Sequence, residues 1–69
     1  MDKIFQKGQM VWIRRSAEDK PRPAHIQGLI GRSATNTLVY EFKYVGGGWS
    51  GCAEYDIYET EDEAKNARK

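Results

Sequence analysis

Alternation of bulky apolar and other residues is clearest between Leu38 and Tyr44. Leu38, Tyr40, Phe42 and Tyr44 fall on one side of a period-two pattern, and Val39, Glu41, Lys43 and Val45 on the other. Successive side chains of a strand point to opposite faces, so this pattern predicts a strand with a bulky inner face and with Glu41 and Lys43 outside. Gly46-Gly47-Gly48 follows. It reads as a hairpin loop, because tight turns need positive φ values that glycine adopts without steric cost. A further strand runs from Trp49 to about Ala53. Its register stays open, since Ser50, Gly51, Cys52 and Ala53 are all small.

The rest of the chain supplies what that hairpin needs for burial. Asp2 to Gln6 is a polar lead with Ile4 and Phe5 as anchors. Lys7-Gly8-Gln9 turns into a first strand, Gln9 to Arg14. There Val11 and Ile13 point one way and Met10 and Trp12 the other, and both sets are apolar. Either both faces are covered or Trp12 lies on an exposed ligand face. Ser16 to Pro23 reads as a loop, because neither of its prolines can donate to a sheet ladder. Ala24 to Arg32 is the second strand. It sets Ile26, Gly28 and Ile30 on one face and His25, Gln27 and Leu29 on the other, with Gly28 marking a bend or bulge. Arg32 to Asn36 is a loop with turn chemistry in Ser33 and Asn36. Tyr55 to Tyr58 is a short apolar connection that reads as a brief turn and then a last strand, and Thr60-Glu61-Asp62-Glu63 fits a helix capping box. The three acids suit the first turn of a helix, and Lys65, Arg68 and Lys69 suit its end. The expected fold is all-β: one SH3-like small antiparallel barrel of four to five strands (about 5–58) with a short C-terminal helix (about 60–67), all within a single domain over residues 1–69.

Composition narrows the function classes. One cysteine excludes an intramolecular disulfide and a cysteine-based zinc site, and with a single histidine no metal site or cofactor is expected. The longest tight apolar run, Met10 to Ile13, is far below a membrane span, so no membrane partner is expected. The start MDKIFQKGQM lacks an apolar core of signal-peptide length, which leaves the cytoplasm as the expected compartment. Net charge is only +1, but residues 1–32 hold seven Lys/Arg against three Asp/Glu, and residues 33–69 hold four against seven. Opposed halves suit a polar partner or a second copy of the chain, although such an asymmetry is more often only a solvated surface.

The start Phe5-x-Lys7-Gly8-x-x-Val11-Trp12, the aromatic central strand and the ending Asp56-Ile57-Tyr58-x-Thr60-x-x-Glu63-Ala64 resemble a group of small, uncharacterised bacterial and phage proteins with an SH3-like or Tudor-like barrel. The resemblance spans most of the chain. It implies a barrel with a capped helix and a bacterial or phage setting, and it assigns no catalytic residue. Among related barrels, the plasmid-borne dihydrofolate reductase carries a glutamine-and-tyrosine strand signature. Asp56-Ile57-Tyr58 lacks the glutamine, so that activity is not expected.

Two groups of side chains are candidate binding residues. Trp12, Tyr40, Tyr44, Trp49, Tyr55 and Tyr58 are many rings for this length. They either fill the core or present a platform for a cation or a flat base. Trp12 and Trp49 are the best placed for exposure, with Tyr44 beside them as a binding candidate. The cations Arg14, Arg15, Lys20, Arg22 and Arg32 surround the first two loops, where arginine forks suit phosphate. His25 and Cys52 would form a nucleophilic pair only across the barrel, with no third group to orient them. Gly46-Gly47-Gly48 lacks the lysine and following helix of a phosphate loop. The expected function is a non-enzymatic module that binds a protein partner or a second copy of itself, using Trp12, Trp49, Tyr44, Arg14, Arg15, Arg22 and Arg32. The alternative is a nucleic-acid-associated module working through the basic loops and Trp12, and a third reading is an enzyme whose site forms at an oligomer interface.

Overall fold

Five strands, β1 (Met10–Ile13), β2 (Arg22–Arg32), β3 (Leu38–Tyr44), β4 (Trp49–Ala53) and β5 (Ile57–Tyr58), pair antiparallel in the order β4-β3-β2-β1-β5. A 3₁₀ turn, Glu54–Asp56, links β4 to β5, and a helix, α1 (Glu61–Asn66), closes the chain. The computed structural model describes residues 4–67; the expectations for Asp2, Arg68 and Lys69 lie outside these. The sheet curls into a half-barrel, a small all-β SH3-like fold with one short C-terminal helix.

Curling gives the sheet a closed inner face, and the alternating residues fill it. Val11, Ala24, Ile26 and Phe42 are wholly buried, with Tyr40 and Ile57 almost so. Phe42 and Tyr40 each contribute about 3 kcal/mol by burial, a large share of the stability of so small a chain. Phe5 packs edge-on against Tyr40, with ring centroids 5.3 Å apart. Its backbone N–H donates to the Tyr40 hydroxyl at 3.2 Å, which fastens the N-terminal segment to the core. Phe5 is thus an anchor as expected, but Ile4 is 76% exposed and is not.

Two features of β2 differ from the sequence reading. The strand begins at Arg22 and includes Pro23. This is tolerated because Pro23 lies opposite Val45, just beyond the end of β3, and contributes only its carbonyl, which accepts from the Val45 N–H at 3.1 Å. Register shifts between Ile26 and Gly28 and between Leu29 and Gly31 each insert one extra residue against β3. Each shift reverses the alternation. Ile26 therefore stays in the core while Ile30, expected on the same face, is 61% exposed.

The turns follow their residues. In the hairpin after β3, the Gly47 N–H donates to the Tyr44 carbonyl at 2.9 Å, and Gly47 and Gly48 hold φ near 100°. Asn36, at φ 65°, does the same work between β2 and β3, where the Ser33 hydroxyl accepts from the Thr37 N–H at 3.3 Å. Thr60 caps α1, its hydroxyl accepting from the Glu63 N–H at 3.2 Å. No helix among the described residues is long and apolar enough to cross a membrane.

Candidate functional site

Strand registers place two rows of side chains across the outer face. In β1, Val11 and Ile13 point into the core, so Met10 and Trp12 point out. Met10 faces His25, His25 faces Lys43, and Lys43 faces Trp49. The neighbouring row runs from Tyr58 through Trp12 to Pro23 and on to Val45. Together the rows reach all five strands. Trp49 is 59% exposed, Val45 55% and Met10 44%, while Trp12, Pro23 and Tyr58 are half-buried. The Lys43 ammonium lies 5.7 Å from the Trp49 ring centre, a contact worth about 0.5–1 kcal/mol at an exposed site.

Both tryptophans are therefore on the outer face, and the open register of β4 resolves with Cys52 inside, opposite Tyr40, and Trp49 outside. They are not adjacent. Three strand spacings, about 14 Å, separate β1 from β4, and Lys43 and His25 lie between. Trp12 and Trp49 thus do not form a cage around one small ligand; they mark the two sides of one broad strip. His25 on this face and buried Cys52 on the other are separated by the sheet, so they do not form a nucleophilic pair. Tyr40 is core rather than platform.

A second site lies at the end of the half-barrel, where Ile13, Arg15, Asp19, Lys20, Arg22 and Tyr44 line a cleft of about 350 Å³. Tyr44 is half-buried, stacked edge-on against Phe42 with centroids 5.0 Å apart. The Arg22 guanidinium carbon sits 3.9 Å from the Tyr44 ring centre. Arg15 reaches across to β4, where its Nη2 donates to the Ser50 hydroxyl at 2.8 Å and to the Gly51 carbonyl at 2.7 Å, and its guanidinium lies 6.0 Å from the Phe42 ring centre. A neighbouring, more open cleft shares Arg15 and is lined by Glu18, Tyr55, Asp56 and Tyr58.

The five cations around the first two loops are not brought together on one surface. Arg15, Lys20 and Arg22 converge on the cleft. Arg14 points away from it and is engaged in structure. Its Nη1 donates to the carbonyls of Ala64 (2.8 Å), Ala67 (3.0 Å) and Lys65 (3.1 Å). Its Nε and Nη2 donate to the carbonyls of Asp19 (3.2 Å) and Ala17 (3.0 Å). Arg32 lies at the other end of β2 and donates to the Asn36 carbonyl at 3.0 Å across the turn. Sequence neighbours in an extended segment point to opposite sides, which is why Arg14 and Arg15 part company. Lys43 and Met10, in contrast, join the outer strip without having been candidates; the signal available was their alternation with core positions. No group of His, Cys, Asp or Glu among the described residues is placed to hold a metal ion. No family model, curated protein or solved structure matches this chain.

Proposed function

We propose that the chain is a small binding module, without catalytic chemistry of its own, that docks a protein partner on the outer face of its sheet. The observation that carries this reading is the continuous double row Tyr58–Trp12–Pro23–Val45 and Met10–His25–Lys43–Trp49. Tryptophan, tyrosine and methionine are the residues that interfaces enrich, because each removes a large apolar area from water at little entropic cost. Lys43 and His25 at the centre supply polar contacts that fix orientation.

The test compares wild type with Trp49→Glu in affinity capture from cells that make the protein. Trp49 is exposed, so the variant is expected to fold normally. A partner captured by wild type and lost with Trp49→Glu supports the reading; the same partner retained at equal yield refutes it. Sedimentation at high concentration shows whether the partner is a second copy, which would give twice the monomer mass.

The nucleic-acid reading rests on fewer groups than the basic composition of the first two loops suggests, because only Arg15, Lys20 and Arg22 share a surface. It predicts a salt-sensitive mobility shift that Arg15→Ala with Arg22→Ala abolishes. No shift at low salt removes it. Arg14→Ala is unsuitable for this test, since Arg14 holds the helix.

A further inference from the structure

The cleft at the end of the half-barrel carries an arrangement that neither the outer strip nor the fold requires. Three cations, Arg15, Lys20 and Arg22, face one carboxylate, Asp19, a formal excess of two positive charges. Among the described residues, the side chains of Lys20 and Arg22 have no hydrogen-bond or ion-pair partner. Arg22 is nevertheless held in place, stacked 3.9 Å from the Tyr44 ring centre. A guanidinium held by its face keeps its N–H groups free in its plane. Arg15 is fixed as well, by Nη2 on Ser50 and Gly51. The two guanidinium groups therefore sit over adjoining rings, Arg22 over Tyr44 and Arg15 over Phe42, with little side-chain entropy left to lose on binding. Cations in excess of their counter-ions repel one another, and a bound anion relieves that repulsion.

We propose that this cleft binds a phosphate group with two ionisable oxygens, as free phosphate or as a phosphomonoester. The charge excess matches a phosphate ester, which carries about −1.5 to −2 at neutral pH, better than a single carboxylate or phosphodiester. The Arg22 fork, the Nε–H and Nη1–H groups that Arg15 has left and the Lys20 ammonium supply the donors that three phosphate oxygens accept. A nucleic-acid strand suits the surroundings less well. Past Arg15 it would enter the adjoining cleft, where Glu18 and Asp56 face it. The phosphate comes either from solution or from a phosphorylated residue of a protein partner. This site is distinct from the outer strip and stands whether or not the strip binds a partner.

The experiment is a titration of the ¹⁵N-labelled full chain with inorganic phosphate, against sodium chloride at matched ionic strength. Saturable shifts of the Arg15 and Arg22 side-chain Nε–H signals and of the Ile13 and Tyr44 amides, absent with chloride, are expected. Arg22→Gln and, separately, Lys20→Gln should each weaken binding about tenfold, the worth of one charge-assisted hydrogen bond, while leaving the melting temperature near that of wild type. A phosphoserine peptide binding more tightly than inorganic phosphate, with its unphosphorylated form inert, assigns the source to a partner; equal affinities assign it to free phosphate. The proposal is overturned by an absence of saturable shifts, by affinity unchanged in both variants, or by a single-stranded oligonucleotide without terminal phosphate binding as tightly as the phosphopeptide.

Discussion

Removing the Arg14 guanidinium should detach the C-terminal helix. α1 spans six residues, far below the length at which a helix is stable alone. It is kept by the burial of Ala64 and by Arg14, whose N–H groups serve five carbonyls, three near the helix end and two in the loop after β1. A cation at a helix C-terminus also opposes the negative end of the dipole. The bonds to Ala64 and Ala67 are partly buried and the other three exposed. Counting about 1 kcal/mol for each partly buried bond and little for the rest, Arg14→Ala should cost about 2 kcal/mol. That is a substantial part of the roughly 3–10 kcal/mol expected for a chain of this size. The melting temperature should fall by about 8–16 °C. Arg14→Lys keeps the charge but not the fork, and should lose about half as much. Urea unfolding followed by tryptophan fluorescence measures the loss. Hydrogen exchange at the Ala64 amide, which donates to the Thr60 carbonyl at 3.2 Å, locates it. Arg15→Ala serves as the control and should leave Ala64 protected. An Arg14→Ala variant within about 0.5 kcal/mol of wild type, or with Ala64 protection unchanged, refutes the reasoning.

Three further predictions concern the sheet. Gly47→Ala should destabilise by about 1–2 kcal/mol, because φ is near 100° while nothing lies within 4 Å of the added carbon, so the cost is conformational alone. Gly46→Ala, one position earlier without a positive φ, should be neutral or slightly stabilising; equal losses at the two positions in urea melts would contradict this. Tyr40→Phe withdraws the acceptor of the Phe5 N–H and should cost about 1–2 kcal/mol, with faster exchange of the Phe5 amide as the local readout; unchanged exchange counts against it. Gly51→Ala drives a methyl group to 3.1 Å from Ile30 Cδ1 and 3.2 Å from the Tyr40 carbonyl oxygen. It should cost about 1–3 kcal/mol, and pairing it with Ile30→Ala should recover only part, since the backbone oxygen cannot withdraw. Full recovery in the double variant would refute that assignment.

The alternation from Leu38 to Tyr44, the glycine turn after it and the Thr60 cap could all be read directly from the chain, because each depends on side-chain period or on local backbone preference. Those local rules were enough to define an all-β barrel and its helix. They were not enough to place the candidate binding residues. Arg14, Arg15, Arg22 and Arg32 look alike in sequence, yet two of them close structural gaps and two line the charged cleft. The difference lies in what each side chain meets after folding, at sequence separations of up to 53 residues for Arg14 and Ala67. The bulges in β2 had the same effect on Ile30, since one extra residue turns every later side chain to the other face and leaves no local trace beyond a glycine. Trp49 depended on a register that its small neighbours could not specify; pairing with β3 settled it. Chain-local physics thus determined which elements form, whereas only the tertiary structure decided which faces they show and which charges are left to bind something else, because both depend on cross-strand partners distant in sequence.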